Sequence, residues 1–244
     1  MKRVLALVFV FACGTSFAQP KPLKIFISAD MEGVAGVSTW DVQANAKGRE
    51  YEEFRRLMTQ EVNAAVQGAY DAGATEVVIA DSHGDAQNID VAVLDKRAEL
   101  IRAWPRPLSM MEGIDNSFAA VVFIGYHASE GTPGAVLAHT FTGTMAIKLN
   151  GVDVPEAGFN AAIAGDFGVP VVFVSGDQVI GEQARKLFGP IETVAVKQAI
   201  GYHAAKMMMP EKAHGLIRHH HFGDRKSTRL NSSHLKLSRM PSSA

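Results

Sequence analysis

An α/β fold, with a mostly parallel central sheet flanked by helices, is what this 244-residue sequence predicts. Three observations carry the expectation. Apolar runs of strand length recur along the chain. Segments with helical periodicity separate them. Glycine or a polar turn closes nearly every run.

Lys24–Ala29 (KIFISA) opens the series as a buried strand ending in a polar turn. Residues 49–72 set Phe54, Leu57, Met58, Val62, Ala65, Val66 and Ala69 on one helical stripe, and Gly73 stops it. Residues 76–80 (EVVIA) form the next strand, so strand, helix and strand make a parallel unit. Residues 119–125 (AAVVFIG) are the most apolar run and predict a central strand. Residues 144–150 predict an edge strand with a turn at Gly151. A small-residue helix follows over 156–167, then a strand over 169–174, a helix over 180–188 and a strand over 192–196. Residues 200–209 are expected to be helical, with Pro210 as a boundary. The stretch 85–116 is less regular and is expected to be an excursion from a single domain.

The two ends read differently from this body. Residues 1–18 carry Lys2 and Arg3, an apolar run, and Ser16 and Ala18 in the small-x-small pattern, the signature of a secretory signal peptide. Export to the periplasm or medium is expected, with no stable membrane anchor after cleavage. The single cysteine, Cys13, would leave with it, so a metal site in the body must use oxygen and nitrogen ligands. Residues 225–244 hold five basic residues, six serines and no acid, and resemble adaptor or vector read-through more than a native end. The body is therefore expected to span 19–224, truncated at its C-terminus. The formal charge of -1 for the whole chain hides 17 basic against 25 acidic residues in that body, a balance of -8. Such a surface excludes a basic nucleic-acid binder and suits a cationic ligand.

Ligands of parallel α/β sheets sit beyond the carboxyl ends of the strands, and here those ends are polar. The first strand runs into Asp30-Met31-Glu32-Gly33, where residues two apart on an extended chain aim two carboxylates one way. The second runs into Asp81-Ser82-His83-Gly84, and the central strand into Tyr126-His127. His139 lies twelve residues beyond His127, and Glu156 opens a helix. Taken singly, Glu156 reads equally well as a helix-dipole partner and His127 as a structural histidine. Their joint placement on strand ends predicts a metal site. Asp30, Glu32 and Glu156 together would repel one another, whereas two zinc ions would neutralise them and leave charge to ionise water. Asp30, short and fixed, is the bridging candidate. Gly33 and Gly36 lack the spacing of a phosphate loop. Met207 to Met209 are read as packing, His203 and His214 as structural, and the adjacent His219, His220 and His221 as surface residues.

Six motifs then occur in order: Ser28-Ala29-Asp30-Met31-Glu32-Gly33, Asp81-Ser82-His83-Gly84, Ser109-Met110-Met111-Glu112-Gly113-Ile114-Asp115, Gly125-Tyr126-His127-Ala128, Ala138-His139-Thr140 and Glu156-x-Gly158-x-Asn160-Ala161. This chain resembles the DppA-type D-aminopeptidase family of zinc peptidases over about residues 24–215. The resemblance implies a di-zinc aminopeptidase (two Zn2+ per subunit) acting on short peptides with D-alanine-like N-termini, built as a homo-oligomer. It makes Asp30, Glu32, His83, His127 and Glu156 the metal ligands, with none substituted, and His139 the catalytic nucleophile or base. Glu112 and Asp115 are candidates to hold the substrate ammonium. A di-metal phosphoesterase and a non-catalytic exported peptide-binding protein are the rival readings. The first would need a basic pocket; the second would need no intact ligand set.

Overall fold

The computed structural model describes residues 22–143 and 145–220. The signal-peptide and read-through expectations, with Cys13 and His221, fall outside the described residues. Seven strands form one sheet. They are β1 (Lys24–Ala29), β2 (Glu76–Asp81), β3 (Glu99–Ile101), β4 (Ala120–Tyr126), β7 (Val171–Asp177), β8 (Glu192–Gly201) and β9 (Ala204–Met207). Their spatial order is β3-β2-β1-β4-β7-β8-β9, and every pairing is parallel except β8 with β9. A separate hairpin pairs β5 (Lys148–Leu149) with β6 (Val152–Asp153).

Alternation along the strands divides the core into two layers. Ile25, Ile27, Val77, Ile79, Val122 and Ile124 pack one way, with Met58, Val62, Ala65 and Val66 of α1 (Tyr51–Asp71) and Ala213 and Ile217 of α4 (Pro210–His219). Phe26, Val78, Val121, Phe123 and Val174 pack the other way. There they meet Ala157, Ala161 and Ala164 of α2 (Glu156–Asp166) and Ile180 and Ala184 of α3 (Gln178–Phe188). Covering both faces is what lets β4 and β7 be buried at every position. Among the described residues no helix is long and apolar enough to cross a membrane.

Two expectations need correction. Residues 200–209 are not helical: β8 continues to Gly201, turns at Tyr202 and His203, and returns as β9 in the register Lys197↔Met207, Gln198↔Lys206, Ala199↔Ala205. Alanine, lysine and methionine are good helix formers, but an open strand edge overrides that weak preference. Pro210 starts α4 instead of ending a helix, because the first turn does not use its missing N–H. Of the strand expected over 144–150, the described residues 145–150 supply only the two-residue β5, off the main sheet, and the excursion at 85–116 returns as β3 to lengthen the sheet beside β2.

The order places β1 and β4 side by side while their connections leave in opposite directions, which opens a crevice at their carboxyl ends. The chain leaving β1 fills it closely. Gly33 donates to the carbonyl of Gly125 at 2.7 Å, and a Cβ on Gly33 would lie 2.1 Å from the Tyr126 carbonyl oxygen, so only glycine fits. From the helical side, buried Glu61 of α1 accepts from the Ala35 amide at 2.7 Å.

Burial pushes the Glu61 carboxyl from 4.5 up to about 7, against the Ala35 hydrogen bond and Lys197, which lower it. Between those values the folded chain holds a proton that the unfolded chain has lost. Stability therefore falls as pH rises through the window, by at most about 3 kcal/mol from this group. Glu61→Gln keeps the acceptor oxygen and should flatten that slope in urea unfolding between pH 4.5 and 7. An unchanged slope would show that Glu61 does not carry it.

Candidate metal centre

Four elements deliver the acidic and imidazole groups to one place. Asp30 directly follows β1, His83 lies two residues beyond β2, His127 directly follows β4, and Glu156 is the first residue of α2. All four, with Glu32, are buried. The chain turns at once after β1, with Val34 donating to the Met31 carbonyl at 3.0 Å. Asp30 and Glu32 thus converge through a turn, not through the strand alternation expected of them. His83 Nδ1 stands 2.9 Å from Glu32 Oε2 and 3.2 Å from Asp30 Oδ1. His127 Nε2 stands 3.3 Å from Asp30 Oδ2 and 3.4 Å from Glu156 Oε2. His139 Nε2 is 3.7 Å from Glu32 and 3.8 Å from Glu156, and its ring stacks on that of His127 at 4.0 Å.

Among the described residues three groups can hold a metal ion, each with ligand atoms within 4.8 Å of one another. They are Asp30, Glu32 and His83; Asp30, His127 and Glu156; and Glu32, His127 and His139. The first two share only Asp30, one oxygen of which faces each imidazole. The outer nitrogens are already committed: His83 Nε2 donates to the Ala44 carbonyl at 2.6 Å, and His127 Nδ1 to that of Ala128 at 3.1 Å. Such bonds set the tautomer and leave the inner nitrogens to ligate. Asp30 Oδ2 and His127 Nε2 face each other yet make no hydrogen bond, as buried atoms meant for a shared cation would. The oxygen and nitrogen donor set fits a divalent ion such as zinc.

The electrostatics point the same way. Burial raises Asp30, and the Glu32 charge raises it further. Burial also opposes ionisation of Glu32, but His83, His127 and His139 hold it well below the ordinary carboxylate range. Glu156 is likewise held down against burial by His127. Burial disfavours charge on the imidazoles, yet Glu32 and Asp30 raise His83, and Glu156 and Asp30 raise His127, well above 6.5. Protons on the imidazoles thus balance the carboxylates, a part that a divalent cation would take over while displacing them.

His139 sits in a strained loop. Leu137 and Phe141 have φ of 49° and 60°, a region that non-glycine residues seldom adopt. The strain is used: the Leu137 carbonyl accepts from His139 Nδ1 at 2.7 Å, and the Phe141 amide donates to Glu156 Oε1 at 2.7 Å. His139 Nε2 is left facing the cluster.

The structure does not bring Glu112 and Asp115 to this cluster. Glu112 accepts from the Leu108 amide at 2.9 Å, and Asp115 accepts from Ser117 at 2.7 Å near the amino end of β4. Several contributors went unread in the sequence. Trp40, 39% exposed, lies with its ring 5.4 Å from that of His83. Ser28, Ser82, Tyr126 and Asn160 form a buried polar layer behind the cluster. Ser28 Oγ lies 2.8 Å from Ser82 Oγ and 2.7 Å from Tyr126 Oη, and Asn160 Nδ2 donates to Tyr126 Oη at 2.9 Å. Ser28 lies two residues before Asp30, Ser82 and Tyr126 directly precede His83 and His127, and Asn160 lies one helical turn from Glu156, which was the available signal. Lys197 had none, because the apolar run of its strand ends at Val196.

Comparisons with known proteins agree on one family. The family model described as D-aminopeptidase matches residues 23–232. A D-aminopeptidase of Bacillus subtilis (strain 168) is 38% identical over 195 residues, covering 80% of this chain and 71% of that protein. The solved structure of the Zn-dependent D-aminopeptidase DppA from Bacillus subtilis, described as a self-compartmentalizing protease, matches with a TM-score of 0.78 at 36% identity. That match too covers 80% of this chain and 71% of the other.

The polar layer behind the cluster should act as a unit. Ser28→Ala and Tyr126→Phe are each expected to cost about 1–3 kcal/mol, with the double variant costing at least about 0.5 kcal/mol less than their sum. Strict additivity in urea unfolding would show that the layer is not coupled.

Proposed function

Because the chain belongs to the D-aminopeptidase family, we propose that it is a zinc aminopeptidase holding two ions per subunit and releasing D-alanine or a similarly small D-residue from the N-terminus of short peptides. The observation that carries this reading is the sharing of Asp30 between two ligand groups, Asp30–Glu32–His83 and Asp30–His127–Glu156. Two dications would set four positive charges against three buried carboxylates, which removes the repulsion that the cluster otherwise carries. Zinc held there supplies Lewis acidity toward the scissile carbonyl and lowers the pKa of water.

The remaining work falls to side chains of this chain. His139, with Nδ1 committed to the Leu137 carbonyl, offers Nε2 as a base beside Glu32 and Glu156. It takes a proton from the attacking water and returns it to the departing amine as the C–N bond breaks, giving a free amino acid and a shortened peptide. Trp40 and Phe141, 39% and 38% exposed, flank the cluster beside His83 and Glu156 and offer apolar walls for a small side chain. The acidic balance of the body favours a cationic N-terminus. The self-compartmentalizing relative supports a homo-oligomer, and the signal-like residues 1–18 support action outside the cytoplasm.

His139→Ala is expected to lose at least about a hundredfold in turnover of D-alanyl p-nitroanilide while keeping its zinc; undiminished turnover would remove His139 from the chemistry. In elemental analysis His83→Ala should lose one equivalent of zinc and Asp30→Ala both. Unchanged stoichiometry would overturn the ligand assignment. Turnover of p-nitrophenyl phosphate with none of D- or L-alanyl p-nitroanilide would favour a phosphoesterase, and turnover of neither a binding protein.

A further inference from the structure

Two strands of the sheet, β7 and β8, contribute no ligand to the cluster, yet each carries a buried charge, Asp177 as the last residue of β7 and Lys197 midway along β8. Lys197 and Asp177 are opposite one another in the β7–β8 register, and both are 2% exposed. Lys197 Nζ donates to the carbonyls of Glu32 at 2.5 Å, Val34 at 2.9 Å and Val37 at 2.5 Å. All three ammonium protons are thus spent on one six-residue loop, the loop that bears Glu32. Asp177 caps α3 through the amides of Val179 and Ile180, and its other oxygen accepts from the Val136 amide at 2.8 Å, in the loop that bears His139.

A buried ammonium is costly unless its protons are all bonded, and here three loop carbonyls take them. Its geometry says what the charge does. Carbonyls converging on a single point from residues 32, 34 and 37 force the chain after β1 into its tight turn, and that turn, not strand alternation, brings Glu32 to His83. Glu61 holds the same loop from the helical side at Ala35. Burial pushes Lys197 down to about 8, which leaves it charged at neutral pH.

We propose that Lys197 is a positioning residue of the metal centre: it sets the place of Glu32 through the loop carbonyls, so that metal binding at Asp30–Glu32–His83 depends on it while Asp30–His127–Glu156 does not. The inference rests on the two-ion reading above. The test is Lys197→Met in the full chain, with zinc affinity measured by stepwise competition with a chelator beside kcat and KM on D-alanyl p-nitroanilide. One zinc equivalent should weaken at least tenfold and the other stay within about threefold, with kcat falling and KM nearly constant. Wild-type affinity at both equivalents would overturn the proposal. So would an equal loss at both, which is what a merely structural lysine would give. Should Lys197→Met fail to fold, Lys197→Cys in a Cys13→Ala chain can be aminoethylated while unfolded and then refolded. That restores an ammonium of nearly the same length, and the weakened equivalent should return. Refolded, aminoethylated protein still lacking it would also overturn the proposal. A wild-type chain that takes up no zinc would overturn the two-ion reading itself.

Discussion

Three carboxylates buried within reach of one another are the constraint on which the rest of this structure depends. Asp30 and Glu32 come from one loop and Glu156 from a helix start, and none is exposed to water that would screen it. Unopposed, they would repel and resist ionisation. Every neighbouring feature answers that problem. His83 and His127 face the carboxylates with their inner nitrogens and anchor their outer ones on backbone carbonyls. His139 closes the third side. The chain thereby keeps a charged site in a dry place, where electrostatic effects on a reacting group are far larger than in water.

The sheet makes that concentration of charge affordable. A parallel sheet sends all its strands to one edge, so adjacent β2, β1 and β4 each end at the same crevice. Apolar layers on both faces keep the strands in register without help from the site. The loops can then be specialised. They carry tight glycine contacts at Gly33 and left-handed residues at Leu137 and Phe141, conformations that would be intolerable in the core elements and that here hold His139 and Glu156.

Support for these loops comes from residues outside the cluster. Asp177, at the end of β7, and Lys197, opposite it on β8, reach across to the loops bearing His139 and Glu32. Ser28, Ser82, Tyr126 and Asn160 join three strands and a helix behind the cluster. The site is thus a property of the whole sheet edge, not of the residues that line it.

Local pattern alone determined much. Strand-length apolar runs and helical stripes set the α/β class, and polar residues at strand ends set Asp30, Glu32, His83 and His127 in one place, because side-chain periodicity and burial are local in origin. It misread residues 200–209, whose alanines and methionines favour a helix until the edge of β8 offers hydrogen bonds. It could not place Asp115, since motif order says nothing of which end of the sheet a loop visits, or Glu112, whose carboxylate turns back onto the Leu108 amide of its own loop. Nor could it reveal Lys197, an unremarkable cation after an apolar run. Only the folded chain decides these matters, because strand order, loop turns and the partners of a buried charge are contacts between residues far apart in sequence: Lys197 meets its carbonyls across 160 to 165 positions.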